Sequence, residues 1–221
     1  VGNPEVTQEY GGYLPYAIVG SGIMNFFLAS YGIYASAIQS ERSAGTLEAL
    51  LMTPIKVPTI ILASTAYPFV WSTVTTCLFI GGGSLIYQVE LKGSILLAVM
   101  IVALTTLIFA SLGIVSASIL MVFKRGDPLR PLVGSVFFLL GDIFYPVSLL
   151  PDWLKFIARL LPVTHAAGPL RAVLLRGVGV EAIATDLLVL LGYVAVLLPT
   201  SLWLFAQAVR HASRDGTLLQ N

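Results

Sequence analysis

Few residues in this chain could do chemistry. Its 221 residues hold one cysteine, Cys77, inside an apolar run, and two histidines, His165 and His211, far apart in sequence. A metal centre takes three or four close-set ligands of this kind, so no metal set can be assembled. No Gly-x-Ser-x-Gly elbow and no His-Glu-x-x-His helix occurs, and no Gly-x-x-x-x-Gly-Lys-Ser/Thr loop is present to hold a nucleotide phosphate. No catalytic residue is assigned, and His165, after Pro162-Val163-Thr164, reads as structural. A net charge of +1 excludes a strongly basic nucleic-acid binder. What remains is Asp142 within an apolar run, followed by Tyr145-Pro146; Arg171 in a short apolar run from Pro169 to Leu175; and the polar stretch Glu41-Arg42-Ser43-Ala44-Gly45-Thr46-Leu47-Glu48-Ala49-Leu50-Leu51-Met52-Thr53-Pro54.

The elements that must position these residues are membrane helices. The composition is 57% hydrophobic and 10% charged, against about 25% charged in a soluble domain. A bilayer core takes about 20 apolar residues per helix, and segments at about 14–39, 59–87, 94–123, 132–150 and 183–209 meet this. They are too long, and alternate too little, for barrel strands. The fold class is therefore an all-α integral membrane protein with five visible spans, in a single transmembrane domain over residues 1–221.

If the loop after the first span is cytoplasmic, that side holds Arg42, Lys56, Lys124, Arg125, Arg130, Arg210 and Arg214, seven of the 12 basic residues. The other side holds Lys92, Lys155, Arg159, Arg171 and Arg176. The excess of positive charge inside favours an external N-terminus and a cytoplasmic C-terminus. Five spans starting outside suggest a six-helix parent whose first helix precedes Val1, the other reading being a genuine five-span protein. Gly32/Ser36, Gly113/Ala117 and Gly81-Gly82-Gly83-Ser84 are small residues suited to close helix packing, within the chain or at a dimer seam.

An acid within a span is expensive and normally faces a cavity or a partner. Asp142 therefore lines a substrate path or accepts a hydrogen bond across a helix seam, unless Tyr145-Pro146 ends the helix early and leaves it near the surface. Between Pro151 and Pro162, Trp153, Phe156, Ile157 and Leu160 share one helical face and Asp152, Lys155 and Arg159 the other. This run is too short to span, so it should lie in the outer interface, with Trp153 at headgroup level. The run around Arg171 should dip into the leaflet and return. Arg171 either grips an anionic headgroup or substrate, or snorkels. Short interfacial helices are thus expected over residues 152–176.

In the polar stretch, Ser43 can cap a short helix over residues 43–53 and Thr53-Pro54 can end it. Ala44, Leu47 and Leu51 share a face, with Leu50 beside it, and Glu41 and Glu48 lie on another. An apolar patch flanked by acids suits a groove on a partner, or equally the inner leaflet.

Two motifs carry a family resemblance. The first is Glu41-Arg42 with Gly45-Thr46-Leu47-Glu48, then Leu50 and Pro54, directly after a span. The second is Pro146, then Leu150-Pro151-x-Trp153-Leu154, Pro162-x-Thr164, Leu170-Arg171 and Gly177. Together they resemble the membrane subunit of ABC exporters of the ABC-2 type, over nearly all of the chain; His165 stands where that family often has an aromatic residue. The resemblance implies a permease that pairs with a second copy or paralogue and docks on separate ATPase subunits, which bind ATP and Mg. In it, Glu41, Arg42, Gly45, Thr46, Leu47, Glu48, Leu50 and Leu51 form the ATPase-coupling helix. Asp142, Tyr145 and Arg171 remain candidates for a substrate path or helix seam, and Trp153, Lys155 and Arg159 for the outer interface. The implied cargo is a drug, lipid or lipid-linked polysaccharide exported across the plasma membrane, in a prokaryote the inner membrane. The alternative is a membrane-embedded lipid-modifying enzyme or assembly factor, with Asp142 and Arg171 lining a lipid site and no ATP coupling.

Overall fold

A computed structural model describes residues 12–43, 57–89, 91–123, 129–144 and 146–214. Described residues are helical or connecting, with no strand among them. The helices are α1 (Tyr13–Ser43), α2 (Val57–Ile86), α3 (Ile95–Phe123), α4 (Leu129–Leu140), α5 (Asp152–Arg159), α6 (Thr164–Arg171) and α7 (Val180–Arg214). A 3-10 turn, Val147–Leu149, precedes α5, and a π turn, Ala172–Arg176, continues α6.

Within the described residues, three helices hold stretches long and apolar enough to cross a membrane: Tyr13–Ile33, Ile95–Leu120 and Val180–Ala208. A shorter apolar stretch, Thr73–Ile86, lies in α2. These sequences are apolar nearly all round, as lipid on one side and protein on the other require. Their serines and threonines return hydroxyls to their own helices: Thr105 to Ile101 O and Ser118 to Ile114 O, both at 2.7 Å, keep polar groups paired where water is scarce.

The broadest packing joins α3 to α7, and α1 rests against both α2 and α3. Phe27 of α1, Phe109 of α3 and Phe137 of α4 form the aromatic centre. The Phe27 ring stands edge-on to Phe109 at 4.6 Å and 4.8 Å from Phe137, the offset geometry that aromatic quadrupoles favour. Between α1 and α2, Gly22 lies under Ile80, and a Cβ added there would meet its side chain at 2.5 Å. Of the Gly81-Gly82-Gly83 run only Gly83 is used in this way, against Ile18; Gly81 and Gly82 face open space. Gly32 and the Gly113/Ala117 pair are buried, whereas Ser36 is exposed and bonds back to Ile33 O at 3.0 Å.

The expected fourth span over residues 132–150 is not one continuous helix. α4 has 12 residues, about 18 Å of rise against a bilayer core of about 30 Å. It stops where Gly141 N bonds Phe137 O and Asp142 turns left-handed with φ 55°. A Cβ at Gly141 would lie 2.3 Å from Phe137 O and 2.7 Å from Val163. The break thus comes before Tyr145-Pro146, at a glycine that lets α4 close on the α5–α6 connection.

The α1 backbone is helical through Glu41, Arg42 and Ser43. The rest of the coupling stretch, Gly45, Thr46, Leu47, Glu48, Leu50 and Leu51, lies outside the described residues.

Candidate functional site

The break after α4 leaves the Asp142 and Ile143 carbonyls without helical partners, and Arg171 supplies them. α6 carries this arginine into the protein, where it has no exposed surface. Its Nη1 donates to Asp142 O and, at 3.1 Å, to Asp142 Oδ2; Nη2 donates to Ile143 O; Nε donates to Tyr16 O at 3.3 Å. The guanidinium carbon lies over the Tyr16 ring, 3.7 Å from its centroid, a cation–π contact strengthened by exclusion of water. Tyr16 OH, on α1, donates to Asp142 Oδ1 at 3.1 Å, and Val147 N donates to the same oxygen at 3.2 Å. The carboxylate is thereby held on both oxygens, and the planar fork of arginine reaches more acceptors than lysine could.

One turn along α1 from Tyr16 is Gly20. A Cβ there would sit 2.0 Å from Ile143 O and 2.6 Å from Arg171 Nη2. Gly20 therefore sets how closely α1 meets the cluster. Four segments converge on this joint: α1, the broken end of α4, the 3-10 turn and α6.

Asp142 and Arg171 thus meet in one ion pair. With Arg171 fully buried, the snorkelling and headgroup-gripping readings give way to an internal helix joint. Tyr145 lies outside the described residues. Tyr16 and Gly20 were missed: Tyr16 looks like any aromatic near the start of a span, and only the close spacing of Gly20 and Gly22 hinted at a tight approach.

α5 and α6 form a hairpin of short helices within residues 152–171. Trp153 and Phe156 are 67% and 68% exposed, with Ile157 and Leu160 also exposed, while Ala158 is buried. The helix sits on the protein by its small residue and leaves its bulky apolar face free. Asp152, in the first turn, takes a hydrogen bond from Lys155 at 2.9 Å. That bond, then the ammonium charge, holds its carboxyl below the ordinary range. The Arg159 side chain is exposed.

The hairpin is tied to the α2–α3 connection as well. Lys92 N donates to Leu174 O at 2.9 Å, and Gly93 lies so close to the π turn that a Cβ would be 1.7 Å from Val173 O. Gly177, left-handed at φ 68°, ends the turn by donating from its N–H to Val173 O at 3.1 Å.

Residues 2–175 match the family model described as ABC-2 type transporter. The chain belongs to that family. The match takes in the Glu41–Pro54 stretch, α1 to α4, and the joint at Asp142 and Arg171. The chain is similar to the inner membrane transport permease YhhJ of Escherichia coli, 29% identical over 175 residues, which is 76% of this chain and 46% of that protein. It is similar to nodulation protein J of Bradyrhizobium diazoefficiens, 39% identical over 88 residues, 38% of this chain and 32% of that one. ABC transporter G family member 20 of Dictyostelium discoideum is 26% identical over 95 residues, 43% of this chain and 13% of its own length. The chain thus spans less than half the length of the Escherichia coli relative.

Proposed function

We propose that this ABC-2 chain is the permease part of an ATP-driven exporter and is not itself an enzyme. ATP and Mg are bound by a separate ATPase subunit, and a second permease copy or paralogue completes the transporter. The family match over residues 2–175 carries this reading. It is supported by the apolar helices and by the absence from the chain of any phosphate-binding glycine loop. The cargo is amphipathic or lipid-linked, of the drug, lipid or polysaccharide class, and leaves outward across a plasma membrane, with the C-terminus cytoplasmic.

The helices suggest how force travels. α1 has 31 residues, about 46 Å at 1.5 Å per residue. One end runs into the coupling stretch with Glu41, Arg42, Leu47 and Glu48. The other end carries Tyr16 and Gly20, which grip the Asp142–Arg171 pair and through it the α5–α6 hairpin. Closure of the ATPases on the coupling stretch would tilt α1 as a lever and displace the hairpin, opening the far side to the cargo.

In the lipid-modifying alternative, Asp142 and Arg171 would act on a lipid; here each is bonded to the other and to backbone within the joint. The experiment is reconstitution of the full-length permease with its ATPase in proteoliposomes. Transport should need ATP and the ATPase subunit, and Leu47→Asp with Glu48→Lys should leave hydrolysis running while export stops. Export that persists with both substitutions, or lipid conversion by the permease alone, would overturn the proposal.

A further inference from the structure

Three successive carbonyls at the C-terminal end of α5 are each met by a side chain from another helix. Ala158 O accepts from Thr164 Oγ1 at 2.7 Å, Arg159 O faces His165 Nε2 at 2.8 Å, and Leu160 O accepts from Tyr193 OH at 2.5 Å. A helix end leaves its last carbonyls unbonded, so this set finishes α5. His165 also reaches α7, with Nδ1 2.7 Å from Asp186 Oδ1. One imidazole therefore joins α5, α6 and α7.

The partners on its two nitrogens decide how many protons the pair holds. A backbone carbonyl only accepts, and so does an ionised carboxylate. A neutral imidazole has one N–H and one lone pair. Either neutral tautomer would set that lone pair against an acceptor oxygen, yet both contacts have ordinary hydrogen-bond lengths. A ring with two N–H groups satisfies both oxygens. A proton placed on Asp186 instead gives the same count, so the extra proton belongs to the pair.

Charged residues on the packed elements have other positions. Asp152 and Lys155 of α5 pair with each other, and Arg171 of α6 is turned to Asp142. Arg159 of α5, Arg176 at the end of the π turn and Glu181 of α7 are exposed. Among the described residues, Asp186 is the charged side chain within ion-pair distance of the ring. The His165 and Asp186 side chains are 20% and 34% exposed, enough for protons to exchange.

We propose that His165 and Asp186 form a proton-operated latch. With the extra proton bound, the ring bridges Arg159 O and Asp186 and holds the α5–α6 hairpin to α7. When the proton leaves, the single remaining N–H stays with the Asp186 carboxylate, the stronger acceptor, so the bond to Arg159 O is lost and the end of α5 is released. The latch is closed at lower pH and opens as pH rises.

His165 and His211 are the only histidines here. In the full-length protein in nanodiscs, His211→Gln and replacement of any histidine beyond this chain leave His165 as the sole reporter. With 15N-labelled histidine, both ring nitrogens should carry protons near pH 6, or Asp186 should carry one; a lone-pair nitrogen beside an ionised Asp186 overturns the proposal. Hydrogen exchange of the amides at residues 158–161 and 163, corrected for intrinsic rates, should be several-fold slower near pH 6 than near pH 8. His165→Gln and Asp186→Asn should abolish that difference. Tyr193→Phe, which removes a neighbouring cap and leaves the pair intact, should speed exchange at both pH values and keep the difference. A wild-type protein with equal protection at both pH values refutes the latch, whether or not the variants fold.

Discussion

Replacing Arg171 by methionine gives the sharpest test of the joint. Methionine keeps most of the volume and removes every donor. Asp142 would lose its ion-pair partner, and the carbonyls of Tyr16, Asp142 and Ile143 would lose the donors they now share. Removing one member of a buried ion pair costs about 3–5 kcal/mol, and the stranded carbonyls keep the loss at the upper end of that range. Each kcal/mol moves the midpoint of a chain of this size by about 2–4 °C, so Tm should fall by roughly 10–20 °C. The assay is thermal unfolding of the purified permease in a fixed detergent, read by size-exclusion recovery. Asp142→Asn should cost less, about 2 kcal/mol, because its side-chain oxygen still accepts from Tyr16 and Val147. The double variant should be more stable than the sum of the singles by about 1–3 kcal/mol, since each removes the other's stranded charge. An R171M loss under about 1 kcal/mol, or strictly additive losses, would refute the claim that the pair holds the joint.

Other outcomes follow from the same contacts. Gly20→Ala should destabilise by about 2–4 kcal/mol, because the added carbon meets Ile143 O and the guanidinium, neither of which can retreat; unchanged Tm would show that α1 does not press on the cluster. Gly93→Ala should loosen the hairpin, seen as faster exchange at residues 172–177 with less change in α3. For Asp152 the folded carboxyl titrates below its unfolded value, so the Lys155 pairing stabilises at neutral pH and is lost only as pH falls through that lowered value. Carboxyl NMR should show the low titration point and its return to the ordinary range in Lys155→Met.

Long apolar runs made the spanning helices legible, because lipid demands length and hydrophobicity and little else. The bounds of α5 had a local signal, since Pro151, Pro162 and the Trp153/Phe156/Leu160 spacing act over a few residues. The break of α4 at Gly141 was not. A glycine within an apolar run reads as helix until it is known that Val163 packs against it and that Arg171 waits for the freed carbonyls. Asp142 and Arg171 stood out singly, because charge is rare in such a sequence. Their pairing was hidden, since it is made by tertiary approach across 29 residues. Tyr16, 126 residues from Asp142, had no local signal at all.

The most direct measurement of the central claim is a cross-link from the coupling stretch to an ATPase. Cys77 is the single cysteine here, so Cys77→Ser, with any cysteine beyond this chain also replaced, gives a clean background. Glu48→Cys and Trp153→Cys are then compared in membranes that also contain the ATPase subunit, with a reagent that joins a thiol to a lysine amine. Glu48→Cys should join to the ATPase in a nucleotide-dependent manner and stall export, while Trp153→Cys should not join at all. A cross-link through Trp153→Cys, with none through Glu48→Cys, would contradict both the docking site and the orientation of the helices.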